Sequence, residues 1–230
     1  MTHRGYGQFC AAAKALDVLG ERWTLLVVRE LLLGSRRFTD LLAALPGLGP
    51  TLLTSRLRRL EAHGVICREQ LPPPAGSWVY QITEAGLGVA LVVKALADWG
   101  VQLLDTPVPG ETVRADWLAL HMAVSLPAEA VAGVRETYQI HCDDEVLHLV
   151  LTGIGVQARS GPALSPPDLI IWTDHAAFAE LSLGRTSLRD LVAARRARVS
   201  GDAAIVGRAA RLFSATHHPR PCAPQGGEHA

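Results

Sequence analysis

The stretch Arg36-Arg37-Phe38-Thr39-Asp40-Leu41-Leu42, the turn Pro46-Gly47-Leu48-Gly49, and Pro50-Thr51-Leu52-Leu53-Thr54-Ser55-Arg56-Leu57-Arg58-Arg59-Leu60-Glu61-Ala62-His63-Gly64 decide the fold. Leu53, Leu57 and Leu60 recur at i, i+4, i+7, the spacing of a buried helical stripe. That leaves Thr51, Ser55 and Arg58 facing outward, with Thr54, Arg56 and Arg59 at the flanks. Pro50 suits the first helical position, where a missing N–H costs nothing, and Gly64 stops the helix. Val65–Leu71 and Trp78–Thr83 then read as a hairpin around Pro72-Pro73-Pro74-Ala75-Gly76-Ser77. Two short helices about a turn apart, followed by a hairpin, imply a helix-turn-helix with a wing, a layout that lays one helix in the DNA major groove.

Outward from that stretch the pattern stays helical. Phe9–Leu19 is Ala-rich with apolar residues at helical spacing, and Thr24–Leu33 is a dense apolar run ended by Gly34. Glu84–Leu104 predicts one long helix, more apolar than a solvent-facing helix should be, which implies packing against a second chain. The formal charge is zero, with 22 basic and 22 acidic residues, but the total hides a distribution. From Arg36 to Arg68 six arginines (36, 37, 56, 58, 59, 68) stand against Asp40 and Glu61, so 6 − 2 gives a local +4. Phosphate contacts are local, so a basic face suffices for a DNA binder. From Glu111 onward 11 Arg face 13 Asp plus Glu, which gives no electrostatic reason to approach nucleic acid.

Pro107-Val108-Pro109-Gly110 is the best linker. Beyond it, Arg114–Leu126 reads as a helix, and Arg135–His141, Val146–Val156 and Asp168–Thr173 as strands, with Cys142-Asp143-Asp144-Glu145 as a polar hairpin tip. His175–Leu183 and Ser187–Ala197 read as helices capped by Asp174 and Thr186, and Val199-Ser200-Gly201-Asp202 leads into a last helix, Ala203–Ser214. The tail from His217 to Ala230 is rich in Pro, Gly and His, a composition that predicts disorder. The four cysteines form no CxxC pair, so neither a disulfide framework nor a zinc knuckle follows. There is no basic-then-apolar leader, and no apolar run of transmembrane length is expected, Leu87–Leu96 being interrupted by Gly88 and Lys94. The default setting is therefore cytoplasmic. No G-x-S-x-G, H-E-x-x-H or phosphate-cradling loop is found, and Gly153-Ile154-Gly155 lacks the following helix of a nucleotide fingerprint.

The first half, roughly residues 8 to 105, resembles the HxlR family of bacterial winged-helix regulators, relatives of the MarR regulators. The likeness is carried by Gly20-Glu21-Arg22-Trp23-Thr24-Leu25-Leu26, Arg29-Glu30-Leu31, Arg37-Phe38, Arg56-Leu57, Thr83-Glu84-Ala85-Gly86 and Trp99-Gly100. It implies a homodimer on an inverted repeat, with helices at both ends of the domain making the dimer contact. Gly49 departs from the Ser often found at that cap, and Ala75-Gly76-Ser77-Trp78-Val79-Tyr80 departs from the usual wing. Some family members sense oxidants through one N-terminal cysteine, and Cys10 stands where that cysteine lies. The second half, roughly 110 to 216, resembles the sterol carrier protein type 2 fold through Asp174-His175-Ala176-Ala177-Phe178, Leu183-Gly184, Leu188 and Val199 to Asp202. That resemblance implies an apolar tunnel for a small lipophilic ligand.

The expected fold class is α+β: a winged-helix DNA-binding and dimerisation domain (1–106), a linker (107–110), an α+β ligand-sensing domain (111–216) and a tail (217–230). The expected DNA contacts are Arg36, Arg37, Thr51, Thr54, Ser55, Arg56 and Arg59. Trp172, Phe178, Leu188, Val192 and Phe213 either line a ligand pocket or are ordinary core. Cys10, with Lys14 four residues on, is either a thiol switch or an inert buried cysteine. No metal, cofactor or catalysis is expected, and the partners are double-stranded DNA, a second copy and an apolar small molecule, without a membrane. The function implied is a homodimeric transcription regulator modulated at its C-terminal domain. The alternatives are redox sensing through Cys10, or a lipid carrier or enzyme that uses the winged helix only to dimerise.

Overall fold

The computed structural model describes residues 5–104 and 111–214, and the chain divides into two compact units, 1–93 and 94–230. The expected linker 107–110 and the tail 217–230 lie outside the described residues.

The first unit carries α1 (Ala11–Leu19), α2 (Thr24–Leu32), α3 (Phe38–Ala44), α4 (Pro50–Ala62), the hairpin β1 (Ile66–Gln70) and β2 (Trp78–Ile82), and α5 (Glu84–Leu87). Val27, Val28, Leu41, Leu53, Leu57, Leu60 and Ile66 are buried in its core, each such side chain contributing roughly 1.5–3 kcal/mol on burial. The leucine stripe of α4 is therefore the inner face that the spacing required. The hairpin is antiparallel, with Ile66 opposite Ile82 and Gln70 opposite Trp78. Thr83 locks its exit: its hydroxyl donates to Gly64 O at 2.6 Å and accepts from the Gly86 N–H at 2.9 Å, capping α5. A Cβ on Gly86 would sit 1.9 Å from Val65 O, so only glycine fits there.

The single helix expected over 84–104 is interrupted at Gly88. It continues as α6 (Val89–Gly100) and a 3₁₀ turn, Val101–Leu103. Leu87, Leu91, Val92, Leu96, Trp99 and Leu103 are exposed along this segment. By length and composition Glu84–Leu103 could cross a membrane, with a mean hydropathy of 1.4, which corrects the expectation that no run reaches that length.

The second unit is a five-stranded sheet in the order β5-β4-β3-β6-β7. Its strands are β3 (Arg135–Cys142), β4 (Glu145–Thr152), β5 (Val156–Ser160), β6 (Leu169–Thr173) and β7 (Ala197–Gly201), accompanied by α7 (Ala115–Ser125), α8 (His175–Ser182), α9 (Leu188–Ala193) and α10 (Ala203–Leu212). Only β3 and β6 run parallel, Ile140 lying beside Ile171. Tyr138, Ile140, Cys142, Leu147, Leu149, Leu169 and Ile171 alternate onto one face and are buried with Ala119, Phe178 and Leu191 from the helices. Two strands escaped the sequence reading. What read as one strand, Val146–Val156, turns at Gly153 (φ +85°) and returns as β5. What read as the end of a helix, Ala197, begins β7, because Arg195 takes a left-handed conformation (φ 57°) and ends α9. The α9 cap is Ser187, which accepts from the Asp190 N–H, and not Thr186; Asp174 caps α8 as expected.

Candidate nucleic-acid interface

The outward face of α4 is Thr51, Ser55 and Arg58, all exposed. They stand at i, i+4, i+7, opposite the leucine stripe. Arg58 has no ion-pair partner among the described residues. Gly49 at the N-cap offers no side chain to the first turn, and Pro50 follows directly, so the turn's remaining N–H groups stay open to an anion. The Thr54 hydroxyl is half-buried and donates back to Pro50 O at 2.9 Å.

Two of the expected DNA contacts face the other way. Arg56 Nη1 lies 2.5 Å from Glu21 Oε2, and its Nε donates to Arg22 O at 3.1 Å. Arg59 Nη1 lies 3.3 Å from Glu21 Oε1. Their side chains are 11% and 14% exposed, too little to present a guanidinium to a groove. One carboxylate at the α1–α2 corner thus braces the inner flank of α4. The Arg36 backbone pairs both ways with Tyr80, N–H to O at 3.0 Å and back at 2.8 Å, joining the start of α3 to the wing. Arg37 is exposed at the α3 N-cap, where its backbone N–H donates to Asp40 at 2.9 Å. On the wing, the Arg68 guanidinium stacks 4.3 Å over Trp78. The sequence placed Arg58 on the outward face, but the contact set named its neighbours; the helical spacing from Thr51 was the signal.

Cys10 is the N-cap of α1 and is exposed, which removes the reading of a buried inert residue. Its thiol faces the N–H groups of Ala13 and Ala12, short of a closed cap hydrogen bond, and these hold its pKa below the ordinary thiol value. Lys14 pairs with Asp17 at 4.0 Å.

In the second unit a cavity of about 540 Å³ opens between α7, α8 and α10, within the range of small-molecule sites. Met122, Leu126, Val134, Leu181, Leu212 and Phe213 line it, with Arg208 and Arg211. Ser125 Oγ in its wall is buried without a hydrogen-bond partner among the described residues. Of the five residues read as pocket candidates, only Phe213 lines this space. Phe178 and Leu188 are fully packed core, and Val192 is 39% exposed. Trp172 alternates to the other face of the sheet, stacked on His141 at 5.7 Å and beneath Arg198.

A helix-turn-helix with a wing, followed by a separate α+β sheet unit, defines a DNA-binding regulator class with an added domain. The HxlR-like helix-turn-helix family matches residues 18–107, and the SCP-2 sterol transfer family matches 121–214. The HTH-type transcriptional regulator YvaP of Bacillus subtilis is 37% identical over 92 residues, covering 40% of this chain and 85% of that protein. An HTH-type regulator of Synechocystis is 39% identical over 99 residues, covering 43% and 73%. Among solved structures, the redox regulator HypR in its oxidized form is 29% identical, covering 42% of this chain and 100% of that one, with a TM-score of 0.40. The chain belongs to the HxlR-like helix-turn-helix family of transcriptional regulators.

Proposed function

We propose that this regulator binds an inverted-repeat operator as a homodimer and that an apolar small molecule in the C-terminal cavity modulates the binding. The observation that carries the DNA reading is the exposed row Thr51, Ser55 and Arg58 on a helix whose N-terminus is open. Thr51 and Ser55 stand beside the phosphate-binding end, and Arg58 supplies the guanidinium for a base edge, the commonest specific contact in the major groove. Arg37 supplies a phosphate anchor at the neighbouring helix start. The dimer reading is supported by Val92, Leu96, Trp99 and Leu103, exposed at 4-3-4 spacing, and by Tyr6, Phe9 and Leu16 near the other end of the domain. A stripe of that spacing is a helix–helix seam. The two recognition helices then need a separation of about 34 Å to enter successive grooves.

Ligand control is supported by a link inside the second unit. Asp98 of α6 binds Lys94 at 2.5 Å and contacts His121 Nε2 of α7 at 3.3 Å, and His121 lines the cavity. A ligand there touches a residue bonded to the helix that carries the apolar stripe. An occupant that prefers one arrangement of that helix shifts the dimer geometry by its differential affinity. Selection of bound fragments from a genomic DNA library tests the reading: enrichment of a palindrome is expected, and failure to enrich any supports the carrier alternative. A second reading, thiol sensing, is favoured by the exposed Cys10 at a helix N-terminus.

A further inference from the structure

The hairpin tip Cys142-Asp143-Asp144-Glu145 meets the first residue of α8, His175, at one end of the sheet. Cys142 Sγ, an Asp143 carboxylate oxygen and a His175 ring nitrogen lie within 4.8 Å of one another. His175 Nδ1 is 2.5 Å from Asp143 Oδ2, and its Nε2 is 2.9 Å from Glu145 Oε1. Glu145 is held in turn by the Ala115 N–H at the start of α7, at 3.2 Å. Cys142 is fully buried, and its thiol has no hydrogen-bond partner among the described residues. Asp143, Glu145, Asp174 and Asp144 surround it, and burial together with their charge pushes the thiol pKa up to about 12. The cations facing them are His175 and Arg196, which stands 4.0 Å from Asp174.

We infer that Cys142, Asp143 and His175 form a binding site for a divalent first-row transition ion, with Zn²⁺ the best fit. The donor set decides the class. A thiolate and an imidazole select Zn²⁺-like ions over Ca²⁺ and Mg²⁺, which take oxygen ligands. The carboxylate field that opposes a bare thiolate favours a dication beside it, and the ion displaces the Cys142 proton to solvent on binding. His175 Nδ1 is the ligating nitrogen, because Nε2–H donates to Glu145, the outer carboxylate that fixes tautomer and ring orientation. With bonds of about 2.0–2.1 Å to nitrogen and oxygen, an ion between Nδ1 and Asp143 requires the carboxylate to draw back from its present 2.5 Å contact. Asp143 allows this, since its side chain is 51% exposed. Its Oδ2 already accepts from the His175 backbone N–H at 2.9 Å, and Oδ1 has no partner among the described residues. Three protein ligands leave the fourth position to water.

The test uses full-length protein in which Cys10, Cys67 and Cys222 are replaced by Ser, so that Cys142 is the sole thiol. It is titrated with Co²⁺ after chelator treatment and then competed with Zn²⁺. One equivalent with a thiolate-to-cobalt charge-transfer band, displaced by one equivalent of Zn²⁺, is expected. Cys142→Ser should abolish the band, and His175→Gln should weaken uptake on the order of tenfold or more. The His175 side chain is half-buried and is not among the buried core residues, so His175→Gln, checked by circular dichroism as well, stands as the readout should Cys142→Ser unfold. Absence of the band from the single-thiol protein, or Co²⁺ uptake unchanged in His175→Gln, overturns the site.

Discussion

Glu21 Oε2 and Arg56 Nη1 lie 2.5 Å apart, joining the α1–α2 corner to the inner flank of α4. The same carboxylate takes Arg59 at 3.3 Å. Together the two contacts tie the inner flank of α4 to that corner from behind. Arg58 stands exposed on the outer face of the same helix, where the proposed reading puts the DNA. Arg58→Ala is therefore expected to lower operator affinity by about 1–3 kcal/mol and to relax discrimination at one base pair, measured on operator variants by fluorescence anisotropy.

Arg56→Ala should behave differently, costing stability first. Glu21→Ala and Arg56→Ala should be non-additive in urea unfolding, with a coupling of roughly 0.5–3 kcal/mol. Additive losses would mean that the ion pair does not brace the helix.

The contrast shows what sequence could reach. The stripe Leu53, Leu57, Leu60 fixed which face of α4 is buried, and so put Thr51, Ser55 and Arg58 outside. It left Arg56 and Arg59 at the flanks, where helical spacing does not decide direction; their partner Glu21 is 35 and 38 residues away and carries no local signal. The missed strands failed for a related reason. β5 places only Ala158 in the core, and β7 only Ala197, so neither shows the alternation that marks a strand. The cavity is walled by α7, α8 and α10, and only Phe213 among the candidate residues reaches it, because aromatic content does not distinguish lining from core.

The exposed stripe on α6 gives a third expectation. Leu96→Glu with Trp99→Glu should convert the dimer to monomer in sedimentation experiments and remove cooperative operator binding, while the far-ultraviolet circular dichroism stays unchanged. Neither side chain is buried within the chain, so the change acts on association and not on folding. A dimer that survives both charges would place the interface elsewhere.

Cys10 and Cys142 should separate cleanly by reactivity. The helix N-terminus lowers the Cys10 pKa, so its thiolate fraction is high at a lower pH than that of a free cysteine. The Cys142 thiol, buried and raised to about 12, should stay unlabelled in the metal-free native protein. Iodoacetamide labelling followed across pH by mass spectrometry should show Cys10 modified with a midpoint below the ordinary thiol pKa. Cys10→Ser should remove any loss of DNA binding caused by diamide or a quinone. An unaltered oxidant response in that variant rules out the thiol switch.

A ligand that binds only the native state stabilises it by mass action, about 2.7 kcal/mol at a hundred times its Kd. An apolar small molecule should therefore raise the melting temperature of the full-length protein. Val134→Trp, which fills the cavity from its wall, should remove the shift. Asp98→Asn should not remove it, because Asp98 does not line the cavity; it contacts His121 and Lys94. What it should change is the coupling. Burial opposes the Asp98 charge, yet Lys94 and His121 outweigh it and hold the carboxyl below its ordinary pKa, so both contacts are present above the usual carboxylate range and fade as pH falls through the lowered value. In Asp98→Asn the ligand should bind as before and alter operator affinity less than in the wild type, where a coupling of about 1–3 kcal/mol is typical. Equal ligand effects on DNA binding in the two proteins would exclude His121–Asp98 as the route. A residue 1–106 fragment should bind operator with no ligand response at all.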